Sequence, residues 1–146
     1  MAYRVEWKND MLFEGTTPNG HKVLMDTIKE HGGNDSAAAP MQLVLIALGG
    51  CTGMDVIAIL RKMKDLPKSF YMEIDSERAP EHPKVFTAAT LIYRLEGPDL
   101  PENQVKQAID LSLSKYCGVV NTLKKAMPVS YCYEINGNRS AVAPAP

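Results

Sequence analysis

The sequence of 146 residues is long enough for one domain with its own core, because 45% of its residues are hydrophobic and 23% are charged. Its 16 basic and 17 acidic side chains give a net charge of -1, which excludes a strong electrostatic attraction to nucleic acid or an anionic membrane. Three widely spaced cysteines and a first segment without an apolar stretch argue against a disulfide-stapled secreted fold. We therefore expect a cytoplasmic protein with neither nucleic acid nor a membrane as a partner.

The first third of the chain has the pattern of a β-meander. Residues 3–7 alternate between apolar and charged side chains, and short apolar runs follow at 11–13 and 23–25. A Pro-Asn-Gly turn signal at 18–20 separates those two runs. Residues 31–39 are small and polar, which is typical of a loop that packs closely or lines a site.

A long helix is predicted from Pro40 to about Asp65, and its first half is apolar on every side, so that half needs to be enclosed. A transmembrane helix over residues 41–60 is the alternative. Insertion of Asp55 costs about 2.5 to 3.5 kcal/mol, however, which largely offsets the gain from nine aliphatic residues. Because few other elements remain to cover such a helix, we expect a second copy of the chain to cover it in an obligate homodimer.

The rest of the chain predicts a hairpin, two helices and a last strand. The strands are expected at about 70–75, 85–96 and 129–135, and the helices end at about Tyr116 and Ala126. Asp99 and Glu102 resemble a capping box at the start of the first of these helices. Because the strands are grouped rather than alternating with helices, we predict the α+β class, a single domain over 1–139 and a disordered tail over 140–146.

Two cysteines have surroundings that suggest chemistry. Cys51 lies in the apolar helix beside Gly49, Gly50 and Gly53, and three glycines inside a helix indicate close approach of a substrate or simply of another element. Cys117 falls where the short second helix begins, and unpaired N–H groups at such a position favour a thiolate. The alternative for Cys117 is a small apolar filler of the core.

The other chemistry-bearing residues give weaker signals. Cys132 lies on the last predicted strand and is interpreted as structural. The three histidines show no ligand spacing, so we expect no metal. Arg78 lies in the hairpin loop with Glu81 and His82, where it could reach a neighbouring site or remain a solvated charge.

Residues 40–55, which include Gly49-Gly50-Cys51, and residues 115–119, which include Cys117, resemble the OsmC/Ohr family and are most similar to its YhfA-like branch. The resemblance implies antiparallel sheets around a long buried central helix in an intertwined homodimer, with a cysteine pair at each of two interfacial sites. It also implies reduction of organic hydroperoxides by an external dithiol, without a cofactor. Cys51 would be the peroxidatic residue and Cys117 the resolving one.

The sequence departs from the peroxidase pattern at two places. Met41 stands where those enzymes carry a glutamate, and residues 9–22 contain no arginine, although Arg78 is a candidate substitute. Gly50 and Asp55, which flank the first cysteine, are further candidates for supporting or substrate-binding residues. Two functions therefore stay open, a thiol-dependent peroxidase or related oxidoreductase and a ligand-binding or redox-sensing stress-response protein with an apolar pocket. Met41 favours the second.

Overall fold

The computed structural model describes residues 2–146 and divides into two compact units, the residues up to Leu45 and Ile46–Pro146. Helix α1, Pro40–Lys62, begins in the first unit and ends in the second. Each unit is described by itself below. The expected single domain over 1–139 stays a prediction.

The first unit contains a three-stranded antiparallel sheet, as the alternating pattern predicts. Its strands are β1 (Arg4–Asn9), β2 (Leu12–Thr16) and β3 (Lys22–Met25), in sheet order β1-β2-β3. Trp7 pairs with Phe13, which pairs with Met25, so the three side chains share one face of the sheet. Trp7 is 63% exposed within the chain, and this apolar face therefore needs a cover.

A tightly hydrogen-bonded loop follows β3, where the composition indicates close packing. Asp26 is 3% exposed, and its carboxylate accepts bonds from the backbone N–H groups of Thr27, Asn34 and Ser36 and from the Ser36 hydroxyl. These bonds, led by the one from the Ser36 hydroxyl, lower the pKa of Asp26 to about 2. A Cβ at Gly33 would lie 2.1 Å from the Thr27 carbonyl oxygen, so only glycine fits there.

The second unit places a mixed sheet beside the helices. Its strands are β4 (Ser69–Arg78), β5 (Phe86–Glu96), β6 (Val129–Ile135), β7 (Asn138–Arg139) and β8 (Ala143–Pro144). Its helices besides α1 are α2 (Glu102–Leu111), a π-helical turn (Ser112–Tyr116) and α3 (Gly118–Leu123). The strand order is β4-β5-β6-β7, with β8 also paired to β6. The α+β class and the central long helix are confirmed.

One strand pair differs from the antiparallel arrangement that the grouped strands indicate. β5 and β6 run parallel, with Leu91 opposite Tyr131 and Tyr93 opposite Tyr133. The helical segment between them forms a crossover connection, which parallel neighbours require. The order of strands and helices along the chain does not predict this pair, because α2 and α3 read as separate elements rather than as one crossover connection.

Helix α1 contributes one face to the core. Leu48, Val56 and Leu60 are completely buried, and burial of each such side chain is worth about 1.5 to 3 kcal/mol relative to exposure. The opposite face is open within one chain, since Ile46 is 61% exposed and Met54 76%. A single chain therefore encloses only one face of this helix, so the predicted enclosure on every side is not found within the chain.

Two helix termini differ from the sequence-based expectation. α1 ends at Lys62 rather than near residue 65, because Lys64 adopts a left-handed conformation with φ of 62°. The capping box at α2 is wrong, since Pro101 is the N-cap and Asp99 lies in a left-handed turn. The Glu102 side chain does not bond the helix start, because it accepts the Tyr133 hydroxyl at 2.9 Å.

The tail also differs from the disorder that its Ala/Pro-rich composition predicts. Ala143 pairs with Tyr131 through β8, and the Ala145 N–H donates to the Val129 carbonyl at 2.8 Å. An otherwise open stretch of the β6 edge supplies the hydrogen-bond partners that composition alone does not reveal.

Candidate active site, a cysteine pair beside buried hydroxyl groups

Helix α1 and the start of α3 bring two cysteines together. Cys51 is half-buried and packs against the core, whereas Cys117 is completely buried. Cys51, Cys117 and Cys132 are all free thiols. Cys132 lies buried on β6, in agreement with its interpretation as a structural residue.

Cys117 is the N-cap of α3, in agreement with its predicted place at the start of this helix. Its sulfur accepts the Val120 N–H at 3.4 Å, and its own N–H donates to the Ser112 carbonyl at 2.8 Å. The π-helical turn that starts at Ser112 therefore ends with the Cys117 sulfur directed at the first turn of α3.

The ionisation of Cys117 is the reverse of what its place at a helix start predicts. The pKa of its thiol is raised to about 11, chiefly by burial and to a smaller extent by Cys51 and Asp55, while the Val120 N–H acts in the opposite direction. A thiolate at this position would lose its hydration in an apolar core, and one long hydrogen bond does not replace it. The prediction of a thiolate at Cys117 is therefore wrong.

A line of buried polar groups lies beside the pair. The Tyr93 hydroxyl is 2.6 Å from Thr52 Oγ1, which is 2.7 Å from Ser112 Oγ, and Ser112 donates to the Asp55 carboxylate at 2.9 Å. Tyr93, Thr52 and Ser112 are completely buried. Burial also raises the pKa of Tyr93, so its hydroxyl stays protonated.

Thr52, Ser112 and Tyr93 were not predicted from the sequence as members of the site. One sequence feature could have indicated them. Thr52 lies four residues from both Leu48 and Val56, where the helical repeat predicts an apolar side chain, yet it carries a hydroxyl. Such a residue needs a hydrogen-bond partner when it is buried. The pattern does not reveal which partner, because the three hydroxyls come from elements that are distant along the chain.

The glycines around Cys51 have two different roles. A Cβ at Gly49 would lie 2.6 Å from the terminal methyl of Ile74, so this glycine lets α1 approach β4. A Cβ at Gly50 would meet nothing within 4 Å. Gly50 instead lines an open apolar groove of about 690 Å³, together with residues such as Met54 and Phe70.

Asp55 lies four residues after Cys51 on α1 and is half-buried. Besides accepting the bond from Ser112, it lines a second cavity of about 420 Å³ with Ile59, Leu111 and Tyr116. Asp55 thus both joins the hydroxyl line and borders this cavity. The sequence suggested Asp55 only because it lies close to Cys51 along the chain, whereas the structure shows the groups that it contacts.

Two other candidates are not joined to the pair by any described contact. Met41 is the second residue of α1 and belongs to the first unit, so a role at the site stays a prediction. Arg78 ends β4, where its Nε donates to the Lys84 carbonyl at 2.9 Å and its guanidinium lies 5.5 Å from the Phe86 ring centre. These contacts hold Arg78 within the β4–β5 hairpin, and they do not support it as a substitute for a catalytic arginine.

Comparison with known proteins decides the family. The profile described as OsmC-like protein matches residues 32–131, a stretch that contains both Cys51 and Cys117. The chain is also 38% identical over 135 residues to the protein YhfA of Escherichia coli K12, covering 92% of this chain and 98% of YhfA. The chain belongs to the OsmC-like family.

Solved structures agree with this assignment of the OsmC-like protein. A hypothetical protein from Aquifex aeolicus VF5 is 26% identical, with a TM-score of 0.80 over 92% of this chain and 95% of its own. An organic hydroperoxide resistance protein from Elizabethkingia anophelis shares the fold, with a TM-score of 0.65 at 14% identity over 93% of this chain and 97% of its own.

The apolar central helix of this OsmC-like protein is long and apolar enough that its length and composition would also fit a membrane span. In the fold it contributes Leu48, Thr52, Val56 and Leu60 to the core. Among residues 2–146, no group of three or more His, Cys, Asp or Glu side chains could hold a metal ion.

Proposed function

We propose that this OsmC-like protein is a thiol-dependent reductase of organic hydroperoxides that uses Cys51 and Cys117 and acts as a cytoplasmic homodimer. The observation that carries the proposal is the pairing of two free thiols on adjoining elements, one of them half-buried and the other sealed in the core. Such a pair can pass between a dithiol and a disulfide state. A structural neighbour named for organic hydroperoxide resistance supports the choice of oxidant.

The chemistry balances with one peroxide and one external dithiol per cycle. The Cys51 sulfur attacks the terminal peroxide oxygen, the O–O bond breaks, and the products are a Cys51 sulfenic acid and an alcohol that takes up the thiol proton. Cys117 then attacks the oxidised sulfur, which forms a disulfide and releases water. An external dithiol reduces this disulfide by exchange and is itself oxidised. Cys51 takes the first role because it is the more exposed of the two.

The surroundings favour a bulky apolar substrate over hydrogen peroxide. Gly50, next to Cys51, lines the apolar groove of about 690 Å³, and Asp55 borders the second cavity of about 420 Å³. Cavities of these sizes with mostly apolar walls suit small organic molecules. Neither Arg78 nor Met41 has a role in the proposed reaction.

The homodimer is supported by apolar surface that one chain leaves uncovered. Ile46 and Met54 lie on the open face of α1, and Val5 and Trp7 are each 63% exposed on β1. Exposed apolar groups of this size at regular helical and strand spacing are typical of surfaces that bind a partner. A second copy of the chain is the partner that the family implies.

A peroxide turnover assay tests the proposal. With cumene hydroperoxide and dithiothreitol, we expect consumption of the peroxide that disappears in Cys51→Ser, because no sulfur remains to attack. Cys132→Ser is the matched control, since it removes a buried thiol outside the pair, and it should retain activity. Absence of turnover in the unmutated protein with several peroxides and several dithiols would falsify the peroxidase proposal.

A ligand-binding or redox-sensing protein is the second candidate. It is favoured by Met41, which stands where peroxidases of the family have a glutamate, and by the large apolar groove. Native mass spectrometry of freshly purified protein distinguishes the two candidates. A retained lipid-like or small aromatic molecule, together with no turnover, would support binding over catalysis.

A further inference from the structure

Ser112 contacts both of the segments that carry the cysteine pair. Thr52 directly follows Cys51 on α1, and its hydroxyl oxygen is 2.7 Å from that of Ser112. The carbonyl of the same serine accepts the Cys117 N–H at 2.8 Å. Ser112 therefore binds α1 through its side chain and Cys117 through its backbone.

The backbone bond between Ser112 and Cys117 is of the π type, because it joins residues five positions apart. In an α-helix the Cys117 N–H would instead donate to the Leu113 carbonyl, which here accepts the Asn121 side-chain amide at 3.1 Å. The same amide donates to the Cys117 carbonyl at 2.8 Å. Cys117 is thus held through both its N–H and its carbonyl, so a displacement of Ser112 would displace Cys117 as well.

The hydroxyl groups that join Ser112 to α1 have one consistent order of donors. A carboxylate only accepts hydrogen bonds, so Ser112 donates its single proton to Asp55. Ser112 then accepts from Thr52, and Thr52 accepts from Tyr93 on β5. Thr52 is therefore both a donor and an acceptor. Loss of its hydroxyl would leave the Tyr93 proton and a Ser112 lone pair without partners in the core.

Resting on the proposed use of the cysteine pair, we propose that Thr52 and Ser112 are positioning residues that hold Cys117 where it can form a disulfide with Cys51. In the dithiol state no covalent bond joins the two segments, so these hydrogen bonds limit how far Cys117 moves away from α1. They thereby raise the effective concentration of one thiol at the other. A hydroxyl with a merely structural role would stabilise the dithiol and disulfide states alike and leave the equilibrium between them unchanged.

Equilibration with mixtures of reduced and oxidised glutathione tests the proposal. Every protein carries Cys132→Ser, so that only one intramolecular disulfide can form. Two electrons and two protons pass from the cysteine pair to one oxidised glutathione, which yields two reduced glutathione molecules. Acid quenching, alkylation and mass spectrometry give the fraction of each protein in the disulfide form. The equilibrium constant of this exchange is the effective concentration of the pair.

Two variants of Thr52 and one control give the comparison. Thr52→Val is nearly isosteric but lacks the hydroxyl, so we expect its effective concentration to fall about fivefold, the factor that corresponds to one buried hydrogen bond. Thr52→Ser keeps the hydroxyl and should retain the effective concentration found with threonine, even where its smaller side chain lowers stability. Tyr133→Phe is the matched control, since it removes another buried hydroxyl, which donates to Glu102 at 2.9 Å.

Urea unfolding of the same proteins in the dithiol state separates positioning from a general loss of stability. Thr52→Val and Tyr133→Phe are both expected to unfold at lower urea concentration, but only Thr52→Val should also shift the disulfide equilibrium. Equal effective concentrations in Thr52→Val and Thr52→Ser would overturn the proposal. An equal fall in Thr52→Val and Tyr133→Phe would overturn it as well.

The equilibration needs no peroxide, so its outcome is independent of the turnover assay. A fall in Thr52→Val alone, without any peroxide turnover, supports the positioning role and removes the peroxidase function. Turnover without a difference between the two Thr52 variants leaves the function intact and removes the positioning role.

Discussion

Gly49 and Gly53 lie one turn apart on α1, and both are buried against β4. A Cβ at Gly53 would be 3.5 Å from the Phe70 ring, which is ordinary contact, whereas a Cβ at Gly49 would be 2.6 Å from an Ile74 methyl. The two glycines thus lie on the same face of the same helix and are both buried, but they differ in the space available for an added Cβ atom. They form a natural pair for testing why glycine stands beside Cys51.

We predict that Gly49→Ala is less stable than Gly53→Ala by about 1 to 2 kcal/mol. Both variants gain roughly 1 kcal/mol of helix propensity, but Gly49→Ala must also displace the Ile74 methyl. Overpacking of a core costs about 1 to 3 kcal/mol, and the lower part of that range applies because the displaced atom is the free end of a flexible side chain. Urea unfolding of the two variants and the unmutated protein measures the difference. Equal stabilities would show that Ile74 moves aside freely and that close packing does not explain Gly49.

Cys117 illustrates what a local pattern reveals about a residue. Its place at the start of α3 is readable from the chain, because Gly118 and the apolar spacing that follows indicate a helix. Its pKa cannot be predicted from the local sequence, because burial, Cys51 and Asp55 raise it. Both of these residues are more than fifty positions away along the chain. The cysteine pair was predicted through the family resemblance, whereas the hydroxyl line beside it was not.

Among the elements, α1 leaves large apolar side chains exposed on one face. Its composition correctly indicates a helix that needs a cover, yet one chain buries only the face that includes Leu48, Val56 and Leu60. The alternation in β1 likewise predicts a strand correctly, but Trp7 stays exposed within the chain. Periodicity reports which face is apolar and does not report whether the same chain or a second copy covers that face.

We predict that Met54→Glu weakens the proposed homodimer, because Met54 is 76% exposed on the open face of α1 and a buried, unpaired carboxylate there would be costly. Leu66→Glu is the control, since Leu66 is 50% exposed beyond the end of the helix. Sedimentation equilibrium across a dilution series should give a monomer at higher concentration for Met54→Glu than for either other protein. A stable folded monomer of the unmutated chain at nanomolar concentration would argue against an obligate dimer.

For the molecule as a whole, the α+β class, the central helix, the meander and the hairpin follow from periodicity and turn signals. The parallel pairing of β5 with β6 and the docking of the tail on β6 do not, because both depend on edges that form only after the sheet has assembled. The proposed function depends on the same kind of contact between residues that are distant along the chain. Cys51 and Cys117 can act as a pair only because the fold brings them together.

The most direct test of the account is whether one equivalent of cumene hydroperoxide joins Cys51 to Cys117. Peptide mass spectrometry without reductant should detect the cross-linked peptides that contain these two cysteines, with Cys132 unmodified and the intact mass lower by two hydrogens. In Cys117→Ser the same treatment should leave a Cys51 sulfenic acid that a dimedone probe traps. Recovery of both thiols in reduced form, or a disulfide to Cys132 instead, would contradict the account.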